Sequence, residues 1–417
     1  MTESHAKYLI VGASHAGREA LAAIRMHDPE GRLVMLSGEK HLPYSPTILP
    51  YVVSGRSLPE RTALAGAEWF AENRAELVLD ARVTGVDPAA RAVRLADGRR
   101  WTYDRLLLAT GAEPVLPPVE GLERVRHHVL RTLDDALALR RHAATARRAV
   151  VLGAGLVGLH AAETLAEAGL DVAVVEMRPH VLAEYFDPRA SALIRETFER
   201  HGIRMLMGRR LERAAGTEPC RLGLDDGTEL EADLLLVAAG VRPATAMLAG
   251  GPIATDRGIL VDPRMRTNAE GVWAAGDVAQ ADGFLSGRPR VNGTLPEAVE
   301  QGRIAGMDMA GDADLVPYGG GLPLNTYGFF GRHAVAVGAA ATPEGEGVEV
   351  HTDEAGGYCR IVLKDNRLIG LAAIDRLVDG GILWRLIQRR TDLAPVRDRF
   401  LSHPLETARA LMSQGWR

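Results

Sequence analysis

Short apolar runs that end in glycine turns alternate with alanine-rich segments along this chain, and the pattern predicts a largely parallel α/β protein. Lys7 to Val11 lacks the period-two alternation of a half-wet strand and predicts a strand buried on both faces. Ala16 to Met26 predicts its partner helix, and Arg32 to Leu36 a second strand that ends at Ser37-Gly38-Glu39. The stretch HLPYSPTILPYVVSG, rich in Pro and Tyr, predicts a loop. Between Leu77 and Trp101, short alternating segments with turns such as Asp97-Gly98 predict an antiparallel ribbon. Arg105 to Ala109 then predicts a buried strand that runs into Thr110-Gly111.

The prolines of EPVLPPVEG mark an interdomain linker, after which the alternation restarts. A new strand–turn–helix opens at Ala149, and the strand from Asp171 to Val175 ends in Glu176. Pro188 to Arg200 predicts a helix, and Leu234 to Ala238 a strand closing the unit at Ala239-Gly240. The segment GILVDPRMRTNAEGVWAAGDV returns to the first domain. From about Gly321 the pattern becomes short strands followed by a helix near Gly381 to Arg390, an α+β tail.

Two of the glycine turns carry chemistry. KYLIVGASHAG, beginning at Lys7, holds Gly12 and Gly17, with Ser14 where a middle glycine is usual. AVVLGAGLVG is complete, with Gly153, Gly155 and Gly158. Each turn feeds a helix whose free N–H groups and positive dipole end suit a pyrophosphate. Each is followed, about twenty positions on, by an acid able to bind a ribose diol. These acids are Glu39 and Glu176. A carboxylate repels a 2′-phosphate, so Glu176 favours NAD over NADP, although the nearby Arg178 is a phosphate-binding residue type. Two dinucleotides on one chain imply electron transfer between them.

Bulk properties narrow the field. With 417 residues the chain exceeds one typical domain, and 47% apolar with 25% charged residues is ordinary for a globular protein. A net charge of −5 gives no reason to expect nucleic acid. Cys220 and Cys359 lie outside any CxxC pattern and build neither a cluster nor a zinc site. His127-His128 lack metal-ligand spacing, so no metal is expected. The polar start MTESHAK leads into a strand rather than a signal peptide, and no apolar stretch spans a bilayer. A cytoplasmic location and no membrane contact are the expectation.

The segment WTYDRLLLATGAEP, with Ala109-Thr110-Gly111, resembles the strand-to-linker motif of the FAD-dependent pyridine nucleotide oxidoreductases. TNAEGVWAAGDV resembles their second flavin motif, and LLLVAAGVRP the end of their NAD domain. The resemblance covers essentially the whole chain. It implies an α/β fold of two nested Rossmann-like domains, for FAD and NAD, plus a C-terminal α+β interface domain. The corresponding spans are residues 1–115 and 243–320 for FAD, 116–242 for NAD and 321–417 for the interface domain. It also implies an FAD site at Gly12, Ser14, His15, Ala16, Gly17, Glu39, Pro46, Thr47, Ala109, Thr110, Gly111, Gly276, Asp277 and Leu295. In that site Asp277 contacts the ribityl chain, while Tyr44, Pro46 and Thr47 wall the isoalloxazine. The NAD site comprises Gly153, Gly155, Leu156, Val157, Gly158, Glu176 and Gly240. Thr294-Leu295-Pro296-Glu297 reads as a helix start, with Thr294 as cap and Pro296 in the first turn. The family points this helix at the flavin pyrimidine edge.

Departures from the family sharpen the functional reading. Thr47 stands where disulfide- and peroxide-reducing members carry a reactive cysteine, and a hydroxyl forms neither a mixed disulfide nor a sulfenic acid. His160 replaces a glutamate near the nicotinamide; it contacts that ring or fills space, and packing is the favoured reading. The loop PYSPTILPYVVSGR resembles flavoprotein subunits of aldehyde- or 2-oxoacid-oxidising complexes, such as tungsten aldehyde oxidoreductases and phenylglyoxylate dehydrogenases. The leading expectation is an NADH:acceptor oxidoreductase subunit that exchanges hydride between NAD(H) and FAD and single electrons with an iron–sulfur partner. It would work in a hetero-oligomeric complex or as a homodimer. The alternatives are a stand-alone ferredoxin or rubredoxin reductase, a peroxide-forming NADH oxidase, and a non-catalytic NADH sensor. The segment from Thr391 to Arg417, with Trp384 and Trp416, is the candidate partner surface, and Arg385, Arg389, Arg390, Arg397 and Arg399 form a solvated face or a docking patch.

Overall fold

The computed structural model describes residues 3–341 and 346–414. The chain divides into two compact units. One comprises residues up to Ile48, Leu58–Glu113 and Val241–Gly321; the other comprises Leu49–Ser57, Pro114–Gly240 and Leu322 onward.

A seven-stranded sheet organises the first unit. Its path runs Ala75–Val78, Leu33–Leu36, Glu3–Val11, Arg100–Leu108, Ala92–Leu95 and Val83–Asp87. The first four strands are mutually parallel, and the last two form the antiparallel ribbon expected from the alternating segments. Arg100–Leu108 is long enough to serve two neighbours. Its first half pairs with Ala92–Leu95, and its last residues, Leu106 to Leu108, pair in parallel with Val272–Ala274. This second pairing brings the late segment of the chain back beside the first fingerprint. Helix His15–His27 lies against helix Leu295–Ala310 through small residues. A Cβ at Gly302 or Gly306 would stand 2.2 or 2.4 Å from the carbonyl oxygen of Ala16 or Ala20, so the backbones approach closely.

Four parallel strands open the second unit, in the order Arg204–Met207, Asp171–Glu176, Arg148–Leu152 and Leu234–Val237. An antiparallel three-stranded sheet follows over Leu211–Ala215, Cys220–Leu224 and Glu229–Ala232. Leu322 onward adds a five-stranded antiparallel sheet and the helix Gly380–Gln388, the expected α+β tail. Asp187 caps helix Pro188–Arg200, its carboxylate accepting from Ala190 N, and it also accepts the Tyr358 hydroxyl at 2.7 Å.

One prediction differs. The stretch read as loop contains the helix Leu49–Val53, which buries Leu49, Val52 and Val53. Those positions have helical spacing, but Pro50 inside them hides the signal; at a first helical turn a proline costs no hydrogen bond.

Candidate functional sites

The two glycine turns repeat one geometry. Gly12 and Gly153 have φ of +113° and +111°. A Cβ there would lie 2.0 Å from the Ala109 carbonyl oxygen and 2.3 Å from that of Ala238. Gly17 and Gly158 repeat the parallel, each with its Cβ position 2.0 Å from the carbonyl oxygen of Gly12 or Gly153. Only glycine satisfies both demands, which is why these turns are visible in the sequence.

Around the first turn, residues from distant segments converge. Ser14 precedes helix His15–His27 in extended conformation and makes no capping bond. Its hydroxyl donates instead to the Tyr44 carbonyl oxygen at 3.3 Å, while the Tyr44 hydroxyl donates to Glu39 at 2.6 Å. His15 Nε2 lies 2.9 Å from Ser45 Oγ, which in turn lies 2.7 Å from Thr47 Oγ1. Pro46 and Thr47 therefore sit on a short 3-10 turn tied to the fingerprint helix. Burial and the neighbouring Arg18 push the His15 pKa below its ordinary value, against the opposing pull of Glu19 and Asp277. Arg18 itself lies over the Trp69 ring, 5.4 Å from its centroid.

Ala109 and Ala275 leave the ends of adjacent parallel strands, donating to Val11 O at 2.7 Å and Leu108 O at 3.0 Å. Thr110 Oγ1 donates to Ala244 O at 2.9 Å, and Ala244 N returns a bond to Gly111 O. Gly276 would place a Cβ 3.1 Å from that of Ala16, and its N–H donates to Gln301 Oε1 at 2.9 Å. Asp277 approaches Gly293 and acts electrostatically on His15. Leu295 opens helix Leu295–Ala310, with Pro296 in its first turn as expected. Thr294 does not cap it. Its hydroxyl is buried and has no partner among the described residues, and the same holds for both amide atoms of buried Asn292.

Such unpaired atoms are costly unless a bound group completes them. The edge of an isoalloxazine offers both donors and acceptors, and a helix N-terminus favours the negative charge of its reduced form. The residues present thus fit a flavin. Sequence reasoning missed Ser45, Asn292 and Gln301. A signal existed for Gln301: it and Glu297 are both 1% exposed, polar residues one helical turn apart on a face otherwise built from Ala298, Ile304 and Ala305.

The second turn is more open. Gly155 is exposed and Val157 is 43% exposed at the start of helix Leu156–Glu167. Glu176 ends its strand beside the turn: one carboxylate oxygen accepts from Ala154 N and the other from Arg178 N, each at 2.8 Å. The Arg178 side chain pairs with Glu184. Met177, 70% exposed, adds an apolar surface next to Glu176. Gly240, with φ of +110°, follows the strand Leu234–Val237. His160 packs 4.7 Å from the Tyr327 ring, and burial lowers its pKa.

The remaining candidates take structural positions. Both cysteines are buried in the second unit, and burial pushes the Cys359 thiol up to about 11. His128 is buried 2.8 Å from His142, and no group of metal-ligating side chains occurs among the described residues. Trp384 donates its indole N–H to Leu322 O, and Arg397 pairs with Glu349. Trp416 lies outside the described residues.

Residues 6–302 match the family described as pyridine nucleotide-disulphide oxidoreductase. Over 416 residues, 99% of each chain, the protein is 49% identical to the NADH-dependent phenylglyoxylate dehydrogenase subunit epsilon of Aromatoleum evansii. A ferredoxin reductase structure from Rhodopseudomonas palustris aligns with a TM-score of 0.81 at 29% identity, covering 89% of this chain and 91% of that one. The covalent putidaredoxin reductase–putidaredoxin complex aligns with a TM-score of 0.86 at 25% identity, covering 98% and 99%. This chain belongs to the pyridine nucleotide-disulphide oxidoreductase family and is an oxidoreductase that uses FAD and NAD(H).

Proposed function

We propose that this chain is the FAD-carrying NADH:acceptor oxidoreductase subunit of a complex that oxidises a 2-oxoacid or an aldehyde. In this reading it exchanges hydride with NAD(H) and single electrons with an iron–sulfur partner. The observation that carries the reading is the absence of any thiol from the first unit: Thr47 stands at the redox position, and both cysteines belong to the other unit. Electrons then pass one at a time between flavin and partner rather than through a disulfide, running from the partner to NAD⁺ when the complex oxidises its substrate. The end-to-end likeness to the phenylglyoxylate dehydrogenase subunit supports the 2-oxoacid branch.

Bound FAD supplies the link between two-electron and one-electron chemistry. The chain's own residues hold and orient. The turns at Gly12 and Gly153 receive the pyrophosphates, and Glu39 and Glu176 take the ribose diols. Asn292, Thr294 and the N-terminus of helix Leu295–Ala310 complete the flavin edge. Residues 1–115 with 243–320 would hold FAD, 116–242 NAD, and 321–417 an interface. No helix among the described residues is long and apolar enough to cross a membrane.

The test is native affinity purification with metal analysis. Stoichiometric iron-containing partner subunits are expected. The likeness to ferredoxin reductases supports a second reading, a free-standing ferredoxin or rubredoxin reductase, and a lone yellow protein without metal would favour it. Rapid peroxide formation would point to an NADH oxidase. Slow flavin reduction with a stable charge-transfer band would point to a sensor.

A further inference from the structure

The chain His15–Ser45–Thr47 shares the holding of its loop with Ser14. Ser14 fixes that loop through the Tyr44 carbonyl, and Tyr44 is tied in turn to Glu39. What the chain adds is a continuous line of exchangeable protons. His15 Nε2 and Ser45 Oγ are 2.9 Å apart, and Ser45 Oγ and Thr47 Oγ1 are 2.7 Å apart. Both separations lie in the range of well-formed hydrogen bonds. Each hydroxyl can donate and accept, so the line can reverse its polarity and pass a proton either way, as no carboxylate–arginine pair could. Its outer end, Thr47, is exposed, and its inner end, His15, is half-buried.

We propose that Thr47, Ser45 and His15 form a proton relay serving the flavin, an inference that rests on the function proposed above. Hydride from NADH delivers two electrons and one proton together, whereas iron–sulfur acceptors take electrons singly and no proton. For every two one-electron acceptors reduced, one proton must leave the flavin site. His15 receives it, the imidazolium releases its Nε2 proton to Ser45 Oγ, Ser45 passes its own to Thr47 Oγ1, and Thr47 at the exposed end yields one to water. Reduction of NAD⁺ by the complex runs the same path backwards. The groups acting on His15 suit both states. Burial and Arg18 keep it neutral and ready to accept, and Glu19 and Asp277 attract the imidazolium once formed. A histidine at this inner position acts by moving the proton of another group, so its test must read more than turnover.

The experiment uses the full chain purified with its flavin, and ferricyanide as a one-electron acceptor. Thr47→Val keeps the shape and removes the hydroxyl; it should slow anaerobic flavin reoxidation roughly a hundredfold, the low end of what a positioned proton carrier contributes. Ser45→Ala should do the same, and Thr47→Ser should restore the rate and its solvent deuterium isotope effect. The flavin midpoint potential should change slope with pH below the ordinary histidine range, and His15→Gln should remove that break. Wild-type rates in Thr47→Val and Ser45→Ala, with an unaltered potential–pH profile in His15→Gln, would overturn the relay. If NADH still bleaches the flavin in those variants, the relay alone falls. If NADH fails to bleach the wild-type flavin, the functional reading falls and takes the relay with it.

Discussion

The same glycine turn occurs twice in this molecule, in surroundings that differ. At Gly12 the turn is roofed: helix Leu295–Ala310 lies backbone to backbone on the fingerprint helix, and Ser14 and His15 each hold a residue of the loop at Tyr44–Thr47. At Gly153 the turn stands open, with Gly155, Val157 and Met177 exposed beside Glu176. Identical backbone chemistry thus yields two kinds of site. A roofed turn surrounds its ligand with segments from several parts of the chain and suits a cofactor that stays. An open turn offers one carboxylate and an apolar patch and suits a cofactor that comes and goes as a substrate.

The largest effects should come from breaking each turn separately. Gly12→Ala forces a Cβ to 2.0 Å from the Ala109 carbonyl and an alanine to a φ of +113°. A cost of roughly 3 kcal/mol, more than a hundredfold in FAD affinity, is expected. The variant should purify nearly colourless, with the 450 nm absorbance per protein as the measure, and should still bind NADH by fluorescence titration. Gly153→Ala imposes the same strain on the other turn. It should stay yellow and lose NADH-driven bleaching, while dithionite still reduces it. Colour lost in both variants would mean that the sites are not separate.

A second contrast is in acid stability. In the second unit, burial is the main force pushing His128 down to about 4 from its ordinary 6.5, and His142, 2.8 Å away, is lowered as well. A histidine held neutral by the fold contributes stability that is complete above its ordinary value. That stability drains away as pH falls, because the unfolded chain then binds a proton the folded one refuses. About 3 kcal/mol should be lost between pH 6.5 and 4 as the His128–His142 pair is forced to take up protons. In the first unit His15 is lowered in the same way, but carboxylates held low carry most of the effect. Lys7 holds Asp28 down, and at Asp308 burial is outweighed by bonds from Arg266, Trp273 and Arg264. Most of its acid loss belongs to lower pH. Urea unfolding from pH 7 to 4 should show the second unit weakening first, and His128→Gln should flatten that dependence.

The contrast between the turns also explains what could be read beforehand. A backbone that only glycine tolerates writes itself into a few adjacent positions, so Gly12, Gly17, Gly153 and Gly158 were legible, as were the acids ending the next strands. The seven-stranded sheet was legible where apolar runs announce buried strands. The roof was not. Ser45, Asn292 and Gln301 act on a turn that lies some tens to hundreds of residues away in the chain, and their types are common in loops and helices. Thr294 has the right residue type and position for a cap, yet its buried hydroxyl makes no capping bond and has no partner among the described residues. Residues 49–57 group with the second unit although the sequence joins them to the first, because short-range pattern carries no information about which core buries Val52.

The smallest effect expected concerns which nicotinamide cofactor the open site accepts. Glu176 already receives the Ala154 and Arg178 N–H groups, each at 2.8 Å, so its position is fixed before any ligand arrives. A ribose diol donates to such a carboxylate, whereas a 2′-phosphate meets its charge. Arg178 waits two residues on, its guanidinium paired with exposed Glu184, a bond of little strength in water. Removing the acid therefore takes away repulsion and frees a phosphate partner at once. Glu176→Ala should shift the NADH-over-NADPH ratio of kcat/KM about tenfold or slightly more, about 1.4 kcal/mol. Glu176→Gln keeps an acceptor and should shift it less. Adding Arg178→Ala to Glu176→Ala should take back part of the gain for NADPH while leaving NADH unchanged. A ratio indifferent to Glu176 would mean that the open turn selects its cofactor by the apolar surface at Met177 instead, and the contrast with the roofed turn would then rest on exposure alone.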